Sequence, residues 1–151
     1  MTTGAKESAI AIRAPEPRDY HRMADLAGEL GYKSEGTEIA RRIAEMHASP
    51  DHAVFVAETA GGEIAGWIGV FAFRCVEADA RAEVSGLVVD ERMRSAGIGR
   101  LLLERAEEWA RQKGCAAASV RSNVIRERAH AFYERHGYKH IKTQKSFRKI
   151  L

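Results

Sequence analysis

Apolar and polar positions alternate along the chain with two different periods. "AIAIR", Ala9 to Arg13, alternates every second residue and predicts a strand. Pro15 and Pro17 then interrupt it, and "RDYHRMADLAGEL" places Tyr20, Met23, Ala24, Ala27 and Leu30 at helical spacing, with Gly31 as the stop. Thr37 is expected to cap a second helix running to about Met46, and Pro50 closes it. "AVFVAETA", Gly61-Gly62 and "EIAGWIGVFAF" read as a hairpin, and Ala82 to Asp90, "AEVSGLVVD", as a further strand. The longest helix is expected over Ile98 to Lys113, with Ile98, Leu101, Leu102, Ala106, Trp109 and Ala110 on one side and Gly114 at its end. "CAAASV" predicts a short buried strand, "RERAHAFYERHG" a last helix, and "YKHIKTQKSFRKIL" a final strand pair.

This order predicts one α/β domain over residues 1–151. Its central sheet is expected to be mixed and mostly antiparallel, flanked by about four helices, with a parallel crossover at the connection before Ile98. No window is apolar enough for a membrane span, and "MTTGAKESAI" lacks the order of a signal peptide, so a cytoplasmic location is expected.

Charge and cysteine usage narrow the chemistry. A net charge of +3 suits an anionic ligand, but the basic residues are scattered without interleaved aromatics, so nucleic acid is not expected as a partner. Cys75 and Cys115 lie far apart in apolar segments and read as reduced, buried thiols. The six histidines show no HExxH or Cys/His ligand spacing, so no metal is expected.

The stretch "RSAGIGRLLL", Arg94 to Leu103, is a glycine turn opening into a helix. It lacks the Walker lysine, and Gly97-Ile98-Gly99 is not followed by the third glycine of a dinucleotide loop. An RxxGxG turn can present successive amides to one anion at a helix start, with Arg94 and Arg100 adding charge; it can equally be a turn whose glycines serve geometry alone.

Two linked segments go further. "AEVSGLVVDERMRSAGIGRLLLERAEEWARQKG" and, downstream, "AHAFYERHGY" resemble the GCN5-related N-acetyltransferase (GNAT) superfamily over roughly residues 53–138. The resemblance implies acetyl-CoA as donor and an acetyl transfer to a primary amine, the acceptor being a small molecule or a protein or peptide amine; a coenzyme-binding sensor without turnover is the alternative. It implies a pyrophosphate site from the amides of Ser95, Ala96, Gly97, Ile98, Gly99 and Arg100 with the charge of Arg94 beside it, and an extended arm paired with the backbone of Leu87, Val88 and Val89. Gly86, beside Ser85, is expected to mark a bulge that splays this strand from "CAAASV". Tyr133 takes the family's position for the proton donor, and Glu83 that of a general base, with a salt bridge or a water chain as its alternatives. The asparagine that relatives carry seven residues before the tyrosine is replaced by Arg126; Asn123 either reaches the arm or serves as a turn residue. The connection with Tyr32, Glu35 and Glu38, and Trp67 on the hairpin, are acceptor-side candidates or ordinary loop and core residues. A homodimer through the C-terminal edge "SFRKIL" is compatible with the family.

Overall fold

The computed structural model describes residues 9–94 and 96–151, in two compact units, Met1–Val120 and Arg121–Leu151. In the first unit, strands β1 (Ala11–Arg13), β2 (His52–Glu58), β3 (Ile64–Phe73), β4 (Arg81–Val89) and β5 (Ala118–Val120) form one sheet in sequence order. The first four pair antiparallel, and β5 joins β4 in parallel. Helices α1 (Tyr20–Glu29) and α2 (Gly36–His47) precede β2, and α3 (Ile98–Gln112) makes the crossover from β4 to β5. The expected mixed, mostly antiparallel sheet is therefore present. The second unit contains α4 (Glu127–Arg135), which Gly137 follows at φ 90°.

Burial explains the helical stripes. Leu26 from α1, Ile68 and Val70 from β3, and Leu102 and Leu103 from α3 are almost wholly removed from solvent, each contributing about 1.5–3 kcal/mol of transfer free energy. Met23, Ile43, Val54, Val56, Ile64 and Val88 cluster with Trp67, so α1 and α2 pack on the face of β2, β3 and β4.

Most boundaries fall within two residues of the sequence expectation, and three features depart from it. The cap of α2 is Glu35, not Thr37: Glu38 reaches back to the Glu35 amide at 3.1 Å, closing a reciprocal box. β5 covers only Ala118–Val120 of "CAAASV". Residues 138–151 form no strand; alternation alone makes no ladder without a paired edge.

Glycine is required where β3 and β4 run closest. A Cβ on Gly66 would sit 2.6 Å from the Val88 carbonyl oxygen, a backbone atom that cannot swing away. Gly66→Ala is expected to cost about 2 kcal/mol, lowering Tm by about 4–8 °C in a thermal melt.

Candidate functional site

The site begins at an irregularity in β4. Gly69 lies opposite Gly86 and Val70 opposite Val84, so Ser85 is an extra residue, a bulge at the position the sequence suggested. Gly86 lies beneath Trp67, where a Cβ would stand 3.0 Å from the indole ring, so a larger residue requires the ring to shift. The indole is held from behind, its Nε1 donating to the Met23 carbonyl at 3.2 Å.

The bulge changes which backbone groups face outward. Before it, the Ala82 amide donates to the Ala117 carbonyl at 2.8 Å, so even-numbered residues face β5. After it, the Asp90 amide donates to the Ala65 carbonyl at 2.7 Å, toward β3. Antiparallel ladders alternate, so the amides and carbonyls of Leu87 and Val89 point away from β3, and those of Val88 point toward it. β5 pairs only with Ala82, Glu83 and Val84. The outward backbone of Leu87 and Val89 thus lies beyond the last residue that β5 pairs with, and a strand edge of this kind can accept an extended amide chain. Of the three residues assigned to that role, Val88 has its backbone committed to β3 and its side chain in the core.

Beyond β4, a 3-10 turn at Glu91–Met93 leads to Gly97, whose φ of 81° and ψ of 6° make it the left-handed cap of α3. The helix ladder opens with the Leu101 amide donating to Gly97 at 3.1 Å, and the amides of Ile98, Gly99 and Arg100 lie ahead of it. The first turn holds no acidic side chain, so no carboxylate of its own offsets the dipole's positive end. Ala96 is exposed beside Gly97, and Ser95 lies outside the described residues. The two expected phosphate-binding cations have carboxylates nearby: Arg94 stands 3.7 Å from Glu91 and 3.9 Å from Glu29, and Arg100 Nη1 donates to Glu104 at 3.2 Å. An anion arriving here competes with those carboxylates for half-buried guanidinium groups.

Asp90, which the sequence reading passed over, anchors this junction. It is 2% exposed, accepts from the Arg92 amide at 2.9 Å and from Arg92 Nη2 at 2.8 Å, and pairs with Arg22 of α1. The Arg92 hydrogen bond, with Arg22 beside it, holds the carboxyl down at about 2 despite burial. A lowered carboxyl pKa means stability present in full above the ordinary value of 3.8 and lost as pH falls through about 2. Asp90→Asn is expected to cost about 2–3 kcal/mol at neutral pH, because Arg22 loses its carboxylate and Arg92 keeps only Glu63. Urea melts at pH 7 and pH 3 check this: the gap between wild type and variant narrows at the lower pH.

Glu83 is 6% exposed on β4, opposite Phe71 and Ser119 and two residues before the bulge. Between α1, α2 and the bulge lies a cavity of about 540 Å³. Its walls are Met23, Ile43, Met46 and Trp67, and Gly69, Ser85 and Gly86 lie at the sheet. Trp67 is thus a half-buried wall residue as well as a core neighbour. Tyr32 also lines the cavity, whereas Glu35 and Glu38 serve the α2 cap and border an adjoining depression that shares Lys33 and Ser34 with it. Met46 and Ile43 carried a readable signal, since both lie on the apolar stripe of α2.

In the second unit, Tyr133 stacks edge-on with Phe132 and Tyr138, at centroid distances of 5.2 and 5.7 Å. Desolvation pushes its phenol up to about 12, the Arg126 charge pulling the other way. Such a phenol stays protonated through the neutral range and can give a proton. Asn123 Oδ1 accepts from the Ile125 amide at 3.2 Å and its carbonyl from the Arg126 amide at 3.0 Å, the geometry of a turn residue ahead of α4. Among the described residues no group of three or more His, Cys, Asp and Glu side chains is arranged to hold a metal.

The pattern of the Acetyltransferase (GNAT) family matches residues 20–138. An aminoalkylphosphonate N-acetyltransferase of Salmonella typhimurium is 42% identical over 79 residues, 52% of this chain and 51% of that protein, so the match spans about half that relative's length. An aminoglycoside N(6')-acetyltransferase of Stenotrophomonas maltophilia is 28% identical over 145 residues, 93% of this chain and 94% of that one. Among solved structures, the glucosamine-6-phosphate N-acetyltransferase of Arabidopsis thaliana superposes with a TM-score of 0.80 at 24% identity, covering 92% of this chain and 97% of the other.

Proposed function

The chain belongs to the acetyltransferase (GNAT) family, and on that premise we propose that it transfers the acetyl group of acetyl-CoA to a primary amine of a small molecule. The observation that carries this reading is the bulge in β4 beyond the end of β5, which leaves the outward backbone of Leu87 and Val89 unpaired by β5, ahead of the glycine turn that opens α3. Relatives named for aminoglycosides and aminoalkylphosphonates support a small-molecule acceptor.

The residues present fit the donor. Amides from Ala96 to Arg100, with Ser95, hold the pyrophosphate at a helix end without acidic side chains, and Arg94 and Arg100 add charge. Leu87 and Val89 pair with the amide arm, Val88 fixes their strand in the core, and an outward amide polarises the thioester carbonyl. The acceptor nitrogen attacks that carbonyl carbon; the N–C bond forms as the C–S bond breaks. Glu83, directly or through water, takes the proton lost by the nitrogen, and Tyr133 gives one to the leaving sulfur. Asn123 shapes the turn before α4 and contributes to the arm only if that turn opens.

The whole chain, residues 1–151, is proposed to act as one catalytic domain located in the cytoplasm; no described helix is long and apolar enough to cross a membrane. Ile141, Phe147, Ile150 and Leu151 are exposed along the C-terminal segment, an apolar stretch that a second copy would cover in a homodimer. Sedimentation equilibrium tests that pairing.

The activity is tested by free-thiol release from acetyl-CoA against a panel of primary amines. Thiol release that depends on the amine is expected. Coenzyme binding without release with any amine would leave a sensor instead. Coenzyme A at about 100 times its Kd should add about 2.7 kcal/mol of stability, and no thermal shift at saturation would overturn both readings.

A further inference from the structure

We propose that the acceptor is an amine on an apolar body with an anionic group at its far end. This deepens the acetyltransferase reading and rests on it for the end at which the amine lies. The cavity between α1, α2 and the bulge is walled by Met23, Ile43, Met46 and Trp67 and reaches Ser85 and Gly86, beside the strand that meets the donor. Apolar walls favour methylenes or a ring; hydroxyl and ammonium groups pressed on them lose water without gaining partners. A polycationic, polyhydroxylated amine fits this lining poorly.

The charge of the lining points the same way. Among the described residues that line the cavity, Lys33 and Arg42 are cations and none is a carboxylate. Arg42 is fixed, its guanidinium donating to Ser34 at 2.9 Å and to Glu38 at 3.1 Å. That ion pair offsets much of its charge. Lys33, on the connection from α1 to α2, is exposed and makes no ion pair with any described carboxylate. Its ammonium is therefore the cation free to meet an incoming carboxylate or phosphonate at the mouth, while the amine points inward to the bulge. Lys33 and Ser34 also border the neighbouring depression, which bears Asp25, Glu35 and Glu38, but Glu35 and Glu38 already close the α2 cap. Those two carboxylates are committed to that box rather than to a second amine.

The test is titration calorimetry on the coenzyme A complex, run beside thiol release from acetyl-CoA. Aminohexanoate is expected to bind about 5-fold more tightly than hexylamine, and about 3-fold more tightly per added methylene than aminobutyrate. Lys33→Glu, an exposed change checked by circular dichroism, should abolish the preference for the acid over hexylamine. Kanamycin should bind more weakly than aminohexanoate. Tighter kanamycin binding, no preference for aminohexanoate over hexylamine, or a preference that survives in Lys33→Glu overturns the inference and leaves the acetyltransferase reading standing. The expected binding order without thiol release from any amine supports this description of the cavity and overturns the acetyltransferase reading.

Discussion

Replacing Gly97 by tryptophan should raise the Kd for coenzyme A by about 100-fold or more. Two effects combine. The residue holds φ at 81°, where any side chain adds about 1–2 kcal/mol of backbone strain. The larger effect is steric. The amides of Ile98, Gly99 and Arg100 lie ahead of the α3 ladder, and an indole on the residue before them covers the approach of a phosphate. Gly97→Ala separates the two contributions. It carries the same strain, so its Tm should fall by about 2–8 °C, while its Kd should rise by less than about 10-fold. Equilibrium binding with thermal melts checks both variants. Unchanged affinity in Gly97→Trp would remove the pyrophosphate assignment for this loop.

Tyr133→Phe should lower kcat by about 100-fold while leaving donor affinity within about 2-fold. The substitution keeps the ring that meets Phe132 and Tyr138 edge-on and deletes only the hydroxyl. Burial raises that phenol to about 12, so in the parent protein it remains a donor across neutral and mildly alkaline pH. Burial that raises the pKa also ties stability to pH: the contribution is whole below the ordinary value of 10.0 and is lost as pH rises through about 12. Alkaline absorbance titration should show a late phenolate step missing from Tyr133→Phe. Full turnover in the variant would assign the leaving proton to water and reduce Tyr133 to a packing residue.

Much of this framework was legible from periodicity. The stripes of α1, α2 and α3 became core because apolar residues at helical spacing have one face to bury. The bulge at Ser85 was legible because Gly86 interrupts a β-rich run. The C-terminal segment was misread, since "YKHIKTQKSFRKIL" alternates but forms no ladder. Strand formation depends on a neighbouring edge, which residue order within the segment does not contain. Thr37 was preferred as a cap on residue type, whereas the box between Glu35 and Glu38 won because two side chains satisfy backbone groups reciprocally.

By itself the sequence determined the element order, the glycine turn at the head of α3 and the family resemblance, because each is a local pattern of spacing or a short motif. Only the tertiary structure decided that Leu87 and Val89 rather than Val88 face outward. A one-residue bulge reverses the parity of a strand, and which half keeps its partner depends on where β5 stops. Folding also set Arg22 of α1 against the buried carboxylate of Asp90 and placed Lys33 at the mouth of an apolar cavity. Those juxtapositions arise from packing α1 and α2 on the sheet, and residues so far apart in sequence carry no local sign of them.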